Sequence, residues 1–224
     1  MTDPEAVRAA AGATRDRFDR IDVAVANAGI LGGGTTVRTL RPGQAERVLE
    51  VNVAGVLNTV AATIDDVIAH RGQIVLISSV FAYINGAGAI PYAMSKAAVE
   101  QLGRGLGVEL AAHGASVLTA YFSLLDTDMI RDGVDADPQL KALLSASPRF
   151  MLKRIPPERA AAALADGIQT RRRALTVPAR WRPVSALRGI VAPVLDARYL
   201  RDTSIQRALT DLENHRLDVP AGRP

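Results

Sequence analysis

Apolar residues along the chain fall into two alternating kinds of run. Asp22-Val23-Ala24-Val25-Ala26-Asn27 is short and almost continuously apolar, and it ends in Ala28-Gly29. Such a run predicts a strand buried on both faces. From about Pro42 to Ala69 the pattern changes. Val48, Val51, Val56, Val60, Ile64 and Val67 supply an apolar stripe, which predicts a helix. A second buried strand is expected over 72–79, entered through Gly72. A helix follows from about Tyr92 to His113, stopped by Gly114. The pattern then predicts a third strand over 116–121, a helix over 157–168 and a short strand over 174–177. Strand and helix alternate with short links and no internal repeat, the signature of an α/β fold: a doubly wound parallel sheet with helices on both faces. In such sheets the chemistry lies beyond the carboxyl ends of the strands.

Composition narrows the class. With 48% hydrophobic and 22% charged residues the chain can bury a core, so disorder is excluded as its main state. The absence of cysteine removes disulfides, thiol catalysis and Cys-based metal sites together, and His70, His113 and His215 show no ligand spacing, so no metal is expected. The first residues have neither the basic flank nor the apolar stretch of a signal peptide, and a cytoplasmic location is the expectation. The sequence pI is about 9.8, yet the net charge is only +4. Its basic character sits in the last third: residues 149–224 hold 15 Lys/Arg against 7 Asp/Glu, whereas residues 1–148 hold 12 against 16. That asymmetry reads first as a solvated arginine-rich face, and no nucleic-acid module accompanies it.

The chemistry concentrates after the second strand. Ser78 and Ser79 close it, Tyr92 lies thirteen residues beyond Ser79, and Lys96 four beyond Tyr92. Positions i and i+4 share a helix face, so the Lys96 ammonium can approach the Tyr92 phenol. A free tyrosine has a pKa of about 10; a neighbouring cation favours the phenolate and brings it toward the working range. Ser79 can hydrogen-bond the substrate oxygen whose proton Tyr92 gives or takes.

With these residues in place, the sequence resembles the short-chain dehydrogenase/reductase family in its classical type, from the first residues to about 178. Asn27-Ala28-Gly29 matches the turn after the family's fourth strand, which lines the adenosine side of the cofactor. Asn52, in Val51-Asn52-Val53-Ala54-Gly55, matches the helical asparagine that holds a water in the proton relay. Ser79, Tyr92 and Lys96 match the catalytic serine, tyrosine and lysine, and Asp126-Thr127-Asp128-Met129 the segment whose threonine reaches the nicotinamide carboxamide. The resemblance implies hydride transfer between NAD or NADP and an alcohol/carbonyl pair. Tyr92 would be the acid/base and Ser79 would polarise the substrate oxygen. Lys96 would depress the tyrosine pKa while binding the nicotinamide ribose, and Asn52 would connect Lys96 to solvent. The cofactor-binding set is then Asn27, Ala28, Gly29, Tyr92, Lys96 and Thr127.

Departures from the family carry their own expectations. The glycine-rich phosphate turn that opens a classical member has no counterpart, and Gly32-Gly33-Gly34 comes too late to replace it, which predicts a flexible loop there. The start Met1-Thr2-Asp3-Pro4-Glu5-Ala6-Val7 resembles a segment from the family's interior. A first β-α-β-α-β portion, on the order of 50–60 residues, is therefore expected to be lacking. The 23–26 strand is then expected to expose an unpaired edge, and the chain to bind dinucleotide poorly. Ala26 replaces a common asparagine, and Phe122-Ser123 replaces Pro-Gly. The rival reading is a non-catalytic dehydrogenase remnant that acts as an interaction or membrane-surface protein.

Leu140, Leu143, Leu144, Phe150 and Met151, with Phe81, Ile84 and Ile90, predict an apolar substrate pocket. A small apolar alcohol or carbonyl is the expected substrate. Residues 1–178 are thus read as a truncated dehydrogenase domain and 179–224 as an amphipathic extension. The extension can cover the substrate mouth, pack on its own domain or a partner subunit in a homo-oligomer, or lie on a membrane surface, and packing is favoured over peripheral membrane contact.

Overall fold

A computed structural model describes residues 1–218, apart from the Phe150 side chain. The chain opens with α1 (Pro4–Phe18), whose Asp3 side chain accepts from the Glu5 and Ala6 amides while Pro4 occupies a position that needs no N–H. Then follow β1 (Val23–Ala26), α2 (Gln44–Ala69), β2 (Gln73–Ser79), α3 (Ile90–Glu109), β3 (Ser116–Phe122) and α4 (Pro138–Ser145). The chain continues through α5 (Pro157–Gln169), β4 (Ala174–Val177), α6 (Arg188–Arg201) and α7 (Thr203–Asp218). The four strands form one parallel sheet in the order β1-β2-β3-β4. All four predicted strands and the three predicted helices are present. Past α3 the chain tightens into a short turn at Leu110–His113 and ends at Gly114 with φ +70°, a conformation that favours glycine.

Strand alternation divides the core between the two faces of the sheet. Ala24, Ala26, Ile74, Leu76 and Val117 pack against Val56, Val60 and Val67 of α2 and Val99 and Leu106 of α3. Val75, Leu118, Phe122, Leu175 and Val177 pack on the opposite side against Ile155 and Ala160. By length and composition α2 satisfies the criterion for a membrane span, and burial of its valines against the sheet accounts for that apolar character. At the outer edge β1 pairs only with β2, leaving Val23 and Val25 exposed on the face opposite α2.

The segment after β4 folds back over the domain. Trp181 is buried against Tyr83, with ring centroids 6.4 Å apart. Ile205, Ala208 and Leu212 of α7 pack on Leu140 and Leu143 of α4. The glycine loop expected to be flexible is pinned instead. Gln44 Nε2 donates to Gly32 O at 2.7 Å, and Arg216 Nε of α7 donates to Gly34 O at 2.9 Å. Gly32 and Gly33 both have φ +82°, and a Cβ on Gly32 would sit 2.3 Å from Val48 Cγ2. Gly32 serves close packing against α2, and Gly34 against Leu140 of α4, whose Cβ would lie 3.0 Å from an added Cβ.

Two glycines of α3 make a matched test of that packing. A Cβ on Gly103 would lie 2.1 Å from Thr119 Oγ1 of β3, whereas one on Gly105 would meet nothing within 4 Å. Gly103→Ala is expected to destabilise the protein by about 1–3 kcal/mol. Gly105→Ala is expected to be neutral or stabilising by up to about 1 kcal/mol. Urea unfolding of the two variants reads the difference.

Candidate active site

Beyond the carboxyl ends of β1, β2 and β3 lies a cavity of about 460 Å³. Parallel strands deliver their terminal residues to this one place. Asn27, Ala28 and Gly29 come from the end of β1, Ser79 from the end of β2, and Ser123 and Thr127 from beyond β3. Helix α3 starts beside β2 and brings Tyr92 and Lys96 to the same wall. Five of the six expected cofactor residues come from strand ends or from α3, and Thr127 joins them at the start of a short helical turn.

Lys96 is 4% exposed, and its Nζ donates to Ile77 O of β2 at 2.9 Å. Burial lowers its pKa from the usual 10.5 to about 8. The Nζ lies 5.6 Å from the centroid of the Tyr92 ring, so the cation stands over the aromatic face. Phe81 packs edge-on against the other partner of this contact, its centroid 5.7 Å from that of Tyr92.

Burial raises the Tyr92 pKa, and a hydrogen bond with the Ser79 side chain opposes the rise. The expected depression of the phenol is therefore not a property of these residues alone. Desolvation acts on both groups at once: it weakens the ammonium and keeps the phenol protonated. Ser79 Oγ also donates to Phe122 O at 3.2 Å and accepts from Phe81 N at 3.2 Å, which fixes the hydroxyl at the strand end.

Asn52 is fully buried and stands behind the cavity wall. It lies in a π turn, Glu50–Ala54, inside α2. Its Oδ1 accepts from Ile30 N at 2.8 Å, and its Nδ2 donates to Ile30 O and to Ser95 Oγ, each at 2.9 Å. Both amide protons are thus committed to positioning the loop after β1 and the start of α3. Gly29 shows how close the parts come: a Cβ there would lie 3.2 Å from Asn52 Oδ1 and 3.3 Å from Lys96 Nζ.

Two positioning residues were not singled out by the motif. Ser78 Oγ donates to Lys96 O at 2.8 Å, tying β2 to α3, and Ser95 Oγ donates to Tyr92 O at 2.7 Å. Strand alternation is the available signal for Ser78, since it faces α3 when Ser79 faces away.

The rest of the cavity wall is mostly apolar, with Asn85 and Ser147 as its polar members. Phe81, Ile84, Leu140, Leu143, Leu144 and Met151 contribute as expected, Ile90 does not, and Phe150 lies outside the described side chains. Trp181 and Tyr199 from the C-terminal segment complete the wall, and Tyr199 Oη donates to Met151 Sδ at 3.7 Å. Of the placements open to the extension from the sequence, covering the substrate mouth is the one these two residues match.

The site also bears on a nicotinamide cofactor. One of the three Lys96 N–H groups is taken by Ile77 O, leaving two for a hydroxyl-bearing ligand. Gly29 keeps that approach open by lacking a Cβ. These residues fit the ribose end of such a group.

A family model described as short chain dehydrogenase matches residues 1–137, and the chain belongs to that family. A cyclopentanol dehydrogenase of Comamonas sp. is 34% identical over 133 residues, covering 56% of this chain and 50% of the relative. A 3-oxoacyl-acyl-carrier-protein reductase of Vibrio cholerae is 28% identical over 132 residues, covering 58% and 54%. The chain spans about half the length of these curated relatives. Among solved structures, a short chain dehydrogenase from Burkholderia cenocepacia in complex with NADP is similar with a TM-score of 0.73 at 23% identity. The match covers 90% of this chain and 76% of that one. A short-chain dehydrogenase from Streptomyces avermitilis matches at 0.67 and 23%, covering 92% and 77%. These likenesses establish the Rossmann-type fold.

The lowered lysine pKa has a measurable consequence. Between pH 8 and 10.5 the unfolded chain holds a proton that folded Lys96 has released, so stability rises with pH across that window. The rise amounts to at most about 3 kcal/mol. Lys96→Met is expected to remove it. Denaturant midpoints of both proteins at pH 7, 8, 9 and 10 give the comparison.

Proposed function

We propose that the protein is an NAD(P)-dependent oxidoreductase that interconverts an alcohol and a carbonyl on an apolar substrate. The convergence of Tyr92, Ser79 and Lys96 on one wall of a largely apolar cavity carries this reading. Membership of the short chain dehydrogenase family supports it. So do the names of its relatives, a cyclopentanol dehydrogenase among them.

Tyr92 holds the proton that the reaction moves. In a buried setting its phenol is protonated at neutral pH, which suits it to give a proton to a carbonyl oxygen during reduction. Ser79, anchored to Phe122 O, lies beside the phenol and orients that oxygen. Lys96 and Tyr92 would hold the ribose of a bound nicotinamide, Thr127 its carboxamide, and Asn27, Ala28 and Gly29 would form the wall on its adenosine side. When bound, the nicotinamide supplies or accepts the hydride. Lys96, held on Ile77 O, then presents positive charge to the phenol and favours its ionised form in the direction of alcohol oxidation. Asn52 keeps the β1 exit loop and α3 in register with one another. The largely apolar wall away from Tyr92 and Lys96 favours an apolar substrate, because little of it can replace the hydration of a charged one.

The protein expressed from its own chromosome should oxidise NADH or NADPH in the presence of alicyclic or long-chain ketones. Tyr92→Phe is expected to lower kcat by about 10²–10⁴-fold with an unchanged circular dichroism spectrum. Near-wild-type turnover by the Phe variant, or no turnover of any such ketone with either nucleotide, refutes the reading. Tyr199→Ala, which deletes part of the far wall, is expected to raise kcat/KM for bulky ketones relative to small ones. Paired kinetics on cyclopentanone and a larger cyclic ketone measure that ratio.

A further inference from the structure

Helix α6 has two unlike faces. Its inner face serves the domain: Tyr199 lines the cavity, Arg188 pairs with Glu100 of α3, and Asp196 accepts from Asn85 Nδ2 at 2.9 Å. Leu187, Ile190 and Val194 follow one another at intervals of three and four, so they share a single outer stripe. They are 54%, 70% and 64% exposed. Arg198 and Arg201 continue the same stripe at intervals of four and three, both exposed, and neither forms an ion pair among the described residues. The helix has one acid, Asp196, and it is turned inward to Asn85. Three exposed apolar side chains followed by two guanidiniums therefore form one strip, with the Asp202 carboxylate, which Arg198 helps to keep ionised, just past its end.

We propose that this strip docks the protein on an anionic lipid bilayer, with α6 lying in the plane of the interface. Leu187, Ile190 and Val194 would enter the boundary between headgroups and acyl chains, while Arg198 and Arg201 engage lipid phosphates. Fourteen residues of helix reach about 21 Å, short of the roughly 30 Å hydrocarbon core, so α6 lies on the membrane and does not cross it. Charge decides between this partner and a second copy of the chain. A two-fold contact through the strip would gather four guanidiniums against two Asp202 carboxylates, a net repulsion, whereas a phosphate surface neutralises the excess. Because Tyr199 lies on the opposite side of the same helix, one helix diameter would separate the bilayer from the apolar cavity. The proposal stands on the geometry of α6 and does not depend on the oxidoreductase reading.

Sedimentation of the purified protein with vesicles tests it, using phosphatidylcholine alone and an equal mixture of phosphatidylcholine and phosphatidylglycerol. The protein is expected to sediment with the mixed vesicles at low salt, and the bound fraction to fall as salt is raised. Arg198→Gln combined with Arg201→Gln should weaken partitioning about 25-fold, roughly fivefold per charge. Ile190→Ser combined with Val194→Ser should also release the protein, with the melting temperature of both double variants unchanged. The proposal fails if the mixed vesicles bind no more protein than neutral ones, or if the arginine variant binds as the parent does. A dimer that Ile190→Ser dissociates would assign the strip to a second copy and overturn it.

Discussion

A buried ammonium resting on a strand carbonyl organises the cavity end of the molecule. Lys96 reaches from α3 to Ile77 O while Ser78 of the same strand reaches back to Lys96 O, so strand and helix are joined by two hydrogen bonds in opposite directions. A charge with so little water around it is costly. It stays in place because the helix that carries it is also locked by packing, with Gly103 set against Thr119 and Val99 and Leu106 in the core. The favourable core therefore sustains an unfavourable site, and Tyr92, four residues earlier on α3, inherits its position from the same anchoring.

Around that anchor the loop after β1 is held by one side chain. Asn52 takes both the N–H and the C=O of Ile30 and spends its remaining proton on Ser95, which in turn bonds the Tyr92 carbonyl. The cavity wall after β1 and the helix bearing the phenol are thereby referred to a common point. The π turn in α2 makes this possible, since an extra residue in the turn redirects one side chain without ending the helix.

Much of this was legible because burial and periodicity are local properties. The continuous apolar runs at 23–26, 72–79 and 116–121 pointed to strands covered on both faces, which holds for the second and third while β1 leaves Val23 and Val25 exposed. The Ser79, Tyr92 and Lys96 spacing lay at a strand end and a helix start. The π turn left a trace too: the valine stripe of α2 advances by three or four residues except between Val51 and Val56, where it advances by five. The Asp3-Pro4-Glu5 start of α1 was a further signal, a capping aspartate before a proline, overshadowed by the likeness of that segment to another part of the family. The protonated state of Tyr92 could not be read, because its desolvation depends on Phe81 and on the distant residues that close the cavity. Nor could the pinned glycine loop, whose partner Arg216 lies 182 positions away from Gly34.

The order of the strands has a consequence for synthesis. Each of β2, β3 and β4 pairs with the strand that precedes it in the chain, and none must be inserted between two strands already paired. As the polypeptide leaves the ribosome the sheet can grow from one side only, each new strand adding to the last while its crossover helix covers the surface just made. Within this stretch, the nascent chain never has to break a finished pairing to admit a later one.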